Sequence, residues 1–192
     1  MPIQAVTEAI RDLMNATLHE AMNAAPGTFS VYIGPPDVDQ DQDELILFPM
    51  RVTPSAEARN ADRIRPFPTA ADPPRRVAPA VPLDVHYLVT AGSPRNSTAR
   101  DGLRRLGYAI QAIEAASPIS LPAFFQDAVR LSLEPLSVDE LSRIWGLFPS
   151  FNCRTSFVFR ASPIWIDPLR LAEAAAPVIS QGTLAGAAGE SS

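Results

Sequence analysis

The residues able to do chemistry in this chain are few and stand apart. There are two histidines, His19 and His86, and one cysteine, Cys153. A metal site needs further His, Cys or carboxylate ligands at workable spacing, and neither histidine has that company nearby in sequence. His19 falls among polar residues of a helical stretch and reads as a surface residue. His86 falls on the less apolar face of a strand. A reactive thiolate needs an exposed, electropositive setting. Cys153 has only Arg154 beside it, so it reads as a buried structural thiol.

The other chemical signals have structural explanations. Asp139-Glu140 look like paired acid/base carboxylates, but capping and the helix dipole account for two acids in a first helical turn. The stretch Ser93-Pro94-Arg95-Asn96-Ser97-Thr98 could hold an anion on free helix amides, and a turn leading into a capped helix explains it as well. The nine glycines are scattered, with no phosphate loop and no Gly-x-Ser-x-Gly elbow. Arg59, Arg63, Arg65, Arg75 and Arg76 form a modest basic patch. Nucleic-acid binding would want more charge, or aromatics between the charges. A salt-bridging contact with another subunit suits the patch better. Trp145 reads as a core residue or an interface anchor. Trp165, beside Pro163, is open to the same two readings. No catalytic residue, metal ligand or cofactor site is expected.

Composition fits that picture. The chain has 192 residues, 46% hydrophobic and 19% charged, with a net charge of −5. This is globular composition, large enough for a real core, and it offers no general attraction to nucleic acid or anionic membranes. All sixteen basic residues are arginine, whose planar fork pairs carboxylates well. A single cysteine excludes an intrachain disulfide. No apolar run approaches the roughly 20 residues of a membrane-spanning helix. The N-terminus lacks the pattern of a secretion signal, so synthesis and assembly in the cytoplasm are expected.

The elements that would position these residues are legible. Ile3, Val6, Ile10, Leu13, Met14, Leu18 and Met22 mark one face of a first helix, stopped by Pro26-Gly27. A strand covers 29–33, and 37–44 is a solvated acidic loop with five acids in eight positions. A second strand, 45–52, contains Pro49, which predicts an edge or a bend. Seven prolines lie from Pro54 to Pro82, so 53–80 reads as an excursion from the fold, a hairpin ordering against a neighbour. The clearest strand is 81–90. Ser97 or Thr98 caps the next helix, with Asp101 in capping-box relation and Leu103, Leu106, Ile110 and Ile113 as its buried stripe; Arg100, Arg104 and Arg105 lie off that stripe. A strand around 129–133 follows. Ser137 to Glu140 forms a second capping box, opening a helix with Val138, Leu141, Ile144, Trp145 and Phe148 as apolar positions. A final strand runs from Thr155 toward Ile164-Trp165-Ile166. The pattern predicts an α+β fold over 1–168, a mostly antiparallel sheet with helices packed on one face, and an Ala/Gly/Ser-rich flexible tail over 169–192. The sheet's other face would be partly polar and available to a partner.

Several segments together resemble a known family. They are Pro74-Arg75-Arg76-Val77 leading into Leu83-Asp84-Val85-His86-Tyr87-Leu88-Val89-Thr90-Ala91, and Leu136-Ser137-Val138-Asp139-Glu140-Leu141-Ser142-Arg143-Ile144-Trp145. Leu45-Ile46-Leu47-Phe48 with Arg59-Asn60, the helix from Thr98 to Ile113, and Arg154 to Phe159 agree with them. The chain resembles, from Ile3 to Pro168, the N-terminal domain of the tube-terminator or cap proteins of extracellular contractile injection systems. Family members often carry a longer, more charged hairpin where this chain has prolines, and Pro49 is a second departure. The resemblance implies a tail-terminator-like fold and a structural role without catalytic residues. It implies a homo-oligomer, a hexameric ring seated on the last layer of inner tube protein and touching the sheath protein. Such a ring ends tube growth in a phage-tail-like particle that is released outside the cell, with no nucleic-acid partner and no direct membrane insertion.

Three other readings compete. One is a neck or tail-terminator protein of a contractile phage. Another is a small-ligand or enzymatic α+β domain using His86 and Cys153. The third is a nucleic-acid-binding scaffold acting through the Arg-rich loop, which would show salt-dependent DNA retention.

Overall fold

A computed structural model describes residues 2–25, 27–36, 44–59, 64–65, 76–77, 80–92, 98–120, 128–149 and 152–166. The elements in chain order are α1 (Pro2–Ala21), β1 (Val31–Ile33), β2 (Leu45–Pro54), β3 (Ile64–Arg65), β4 (Arg76–Val77), β5 (Val81–Ala91), α2 (Ala99–Ala116), β6 (Ile119–Ser120), β7 (Ala128–Glu134), α3 (Val138–Trp145) and β8 (Ser156–Ile166).

Among the described residues six strands form one sheet in the order β1-β2-β5-β8-β7-β6, while β3 and β4 pair only with each other. Every pairing in the large sheet is antiparallel except that of β1 with β2. This is the α+β, mostly antiparallel architecture that the pattern predicts. The alternation of β5 builds the core. Val85, Tyr87 and Val89 point to one face, where Val6, Ile10, Met14 and Leu18 of α1 and Leu106, Ala109 and Ile113 of α2 cover them. Ile10, Met14 and Leu18 are fully buried, and truncating one of them to Ala would cost about 2–5 kcal/mol.

The ends of the helices follow local rules. Thr98, not Ser97, caps α2, and both halves of its capping box with Asp101 form. Ser137 and Glu140 do the same for α3. The first helix ends earlier than Pro26-Gly27. Asn23 adopts a left-handed conformation, φ 49°, the Ala24 N–H donates to the His19 carbonyl and the Asn23 N–H to the Glu20 carbonyl. That is a Schellman stop with Asn in the place usually held by Gly.

Pro49 does what a proline in a strand predicts. β1 pairs with β2 only over Leu45 to Leu47, so beyond Leu47 the outer side of β2 is an edge. The β2–β5 register also slips between Pro49 and Arg51.

The stripe of α2 differs from the expected one. Gly102, Arg105, Leu106, Ala109, Ala112 and Ile113 are buried, whereas Leu103 is 56% exposed. Gly102 lets the helix approach β5, since a Cβ there would sit 3.1 Å from Ala91 Cβ. That contact rotates Arg105 inward and Leu103 outward. Val138, counted with the apolar face of α3, is 83% exposed; the face is carried instead by Trp145 and Phe148, both buried.

Candidate functional site

The large sheet has two faces, and α1 and α2 occupy one. The opposite face presents Ile46 and Phe48 of β2, His86 and Leu88 of β5, and Val158 and Arg160 of β8, as the registers require. Trp145 and Phe148 close the apolar half of this face. The Phe148 ring meets Phe48 edge-on at 5.8 Å and Trp145 at 6.2 Å, and Trp145 is 5% exposed. This resolves Trp145 as a core residue.

The remaining half of that face is polar, with the 55–58 turn beside it. Arg160 sits at its centre. Its guanidinium lies 3.4 Å from Asp84, 3.4 Å from Glu57 and 3.2 Å from Glu134. Glu134 also lies 2.9 Å from His86 Nδ1, and Ser162 donates a short hydrogen bond to Asp84. Asp84 is 5% exposed, so its charge depends on these partners. Beside the network a cavity of about 390 Å³ opens between the 55–58 turn and β7–β8, with Arg130, Ser132 and Ser162 in its lining. His86 therefore belongs to an ion-pair network on the sheet. Among the described residues no group of three His, Cys, Asp or Glu could hold a metal ion.

A second cavity, about 440 Å³, lies where α2 begins, with Thr98, Gly102, Cys153 and Arg154 in its lining. Cys153 is exposed, which corrects its reading as a buried thiol. It stands in the coil before β8, ahead of the point where alternation turns side chains inward. The capping box already engages the Asp101 amide at this helix end. The Thr98 hydrogen bonds hold the Asp101 carboxyl below its ordinary range.

Buried polar groups occur also beneath the helices. Tyr87 stacks on Phe159 at 5.0 Å. Its hydroxyl lies 2.8 Å from Thr7 Oγ1, whose own hydrogen goes to the Ile3 carbonyl. Tyr87 is thus the donor. Burial pushes its phenol up to about 12. Glu44, expected in a solvated acidic loop, is 8% exposed and pairs with Arg105 at 2.7 Å. Its backbone joins the Ser30 carbonyl and the Gly92 amide. Glu44 is the anchor of the acidic stretch; 37–43 lies outside the described residues.

The residues singled out as a subunit contact are only partly brought together. Arg65 and Arg76 are directly paired across the β3–β4 ladder. Arg59 is exposed in the turn after β2. Arg63 and Arg75 lie outside the described residues. Trp165 is half-buried and faces Pro82 across the β5–β8 ladder, at the same end of the sheet. The Arg160 network went unseen in the sequence because its members are scattered over more than a hundred positions.

Both long edges of the sheet are blunted. On β2 the work is done by Pro49, Pro54 and the register slip. On β7 the Leu131 N–H donates to Ser117 Oγ at 3.0 Å, and that hydroxyl donates to the Leu131 carbonyl at 2.9 Å. One serine side chain thus occupies both groups that Leu131 turns away from β8. The partly polar face, more than either edge, is the surface left open.

Comparison with known proteins agrees with this architecture. The family model for the Pvc16 N-terminal domain matches residues 5–180. A solved sheath/tube terminator of an extracellular contractile injection system, in its extended state, is similar with a TM-score of 0.60 and 14% identity, covering 98% of this chain and 66% of that one. The tube-terminating cap of the anti-feeding prophage is similar with a TM-score of 0.60 and 16% identity, covering 90% of this chain and 58% of that one. At these identities the likeness is one of fold, and the chain spans about two thirds or less of either structure's length. No curated protein matches.

Proposed function

Since the chain belongs to the Pvc16 N-terminal domain family, we propose that it serves as a structural cap, a tube terminator of a contractile injection system. In this reading copies of the chain form a ring, hexameric as the resemblance implies, on the last layer of inner tube. The ring contacts the sheath, and growth of the tube ends there. Assembly takes place in the cytoplasm and the particle acts outside the cell. The work lies in surface shape and charge, with no reactive group involved.

The observation that carries this reading is the extent of the fold correspondence, which takes in 98% of this chain against a sheath/tube terminator. Physical logic supports it. A stack of rings grows because each layer offers a heterologous surface to the next. A terminator must match that surface and offer none like it beyond. Blunted edges on β2 and β7 suit that task, because they discourage further strand addition. Arg59, Arg63, Arg65, Arg75, Arg76 and Trp165 belong to the proposed contact with tube or neighbouring subunits.

The test is tube assembly in vitro. Inner tube protein polymerised with increasing amounts of this chain should give progressively shorter tubes, with the chain at one end by immunogold electron microscopy. Tube lengths unaffected by the chain would overturn the proposal.

A further inference from the structure

The open half of the sheet's second face carries two arginines outside the Arg160 network. Arg51 lies opposite His86 on β2, and Arg130 opposite Ser162 on β7. Both are exposed. Among the described residues neither has a carboxylate within ion-pairing distance, whereas Asp84, Glu134 and Glu57 are all engaged by Arg160. The face therefore offers two cations with no carboxylate partner among the described residues, three strand spacings and two residues apart, or about 16 Å. Arg130 stands beside the hydroxyls of Ser132 and Ser162 in the 390 Å³ cavity, a setting that suits a carboxylate.

The chain itself carries a segment of matching chemistry. Asp37, Asp39, Asp41 and Asp43 lie between the Gly34 amide, bonded to the Leu47 carbonyl, and Glu44, bonded to Ser30. Those anchors place the two ends of the segment beside Leu47 and just before Leu45, in the first part of β2. The nine residues 35–43 tied at both ends reach at most about 16 Å from their anchors. Arg130 is level with the region of Asp84 and Thr53, some 30 Å from Glu44 by strand rise and spacing. A segment cannot meet Arg130 of its own chain, even with both side chains extended.

We propose that the Arg51/Arg130 face receives the 37–43 acidic segment of a second copy of this chain, a head-to-tail contact. The acidic segment and its receptor lie at different places on one subunit, so the contact is heterologous and can close into a ring. The proposal rests on the ring-forming reading above, and it names the surface that reading needs.

Two full-length variants test it by size exclusion with light scattering. One carries Arg51→Glu and Arg130→Glu; the other carries Asn at 37, 39, 41 and 43. Wild type should elute as a closed oligomer and each variant as a monomer with an unchanged circular dichroism spectrum. An equimolar mixture joins one intact acidic segment to one intact arginine face, and should yield a 1:1 dimer that grows no further. Oligomers retained by either variant, a mixture that stays monomeric, or a monomeric wild type would each overturn the contact. A wild type that self-associates by this contact yet leaves tube lengths unchanged would instead overturn the proposed function.

Discussion

Glu134 Oε2 lies 2.9 Å from His86 Nδ1 although β8 runs between their strands. The contact spans β8, whose Arg160 pairs with the same carboxylate at 3.2 Å. Three strands are thus tied on the half of this face that Trp145 and Phe148 leave open, by polar groups 8–29% exposed at the side chain, Glu57 apart. Such a network rigidifies a surface only while every member keeps its partner.

Arg160→Met should therefore destabilise the fold. Asp84 would keep only Ser162 while remaining buried, and losing a charged partner at such a site costs about 1–3 kcal/mol. Asp84→Asn in the same background should recover part of the loss. Urea unfolding measures both. A single Arg160→Met variant as stable as wild type would show that solvent replaces the guanidinium.

The Glu44–Arg105 pair gives a sharper contrast. Its side chains are 11% and 8% exposed. Glu44→Met or Arg105→Met alone takes the ion-pair partner from a buried charge and should cost about 3–5 kcal/mol. The double replacement should lie near wild type, because desolvation of both charges is removed together. Additive losses in the double-mutant cycle would mean that the pair is not coupled.

Acid sensitivity should come in part from the caps. Asp101 and Glu140 are held below their ordinary range by hydrogen bonds from Thr98 and Ser137. Groups depressed in the folded state stabilise it above their unfolded pKa, and the contribution disappears as pH falls through the folded value. The double variant Asp101→Asn, Glu140→Gln should therefore be less stable than wild type near neutrality. Its stability should decline less steeply below about pH 4, where free carboxylates protonate. Thermal unfolding across acid pH checks this, and parallel curves would refute it.

Cys153 should react in the native state. Its thiol is exposed, so a thiol-specific maleimide should label it to completion without denaturant, at a rate that urea does not raise. Labelling that waits for unfolding would contradict the exposed position.

Local rules made much of the fold legible. Thr98 with Asp101, Ser137 with Glu140, the alternation of β5 and the bend at Pro49 depend on neighbours a few residues away, and sequence spacing records such relations. Even the stop at Asn23 was readable in kind, since Asn tolerates the left-handed conformation; the nearby Pro26-Gly27 masked it. The short β6 was not readable, because two residues carry no period.

What the sequence determined by itself is the order of helices and strands, their capped ends, and a polar face opposite an apolar one. The tertiary structure alone decided that β1 runs parallel to β2, that close packing at Gly102 turns Arg105 inward to meet Glu44, and that His86, Glu134 and Arg160 share one surface. Each of these depends on groups well separated along the chain, brought together by pairing across strands that were themselves placed by the core. Spacing along a chain carries no record of such distances, so charges that look solvated in the sequence become partners only once the sheet has closed.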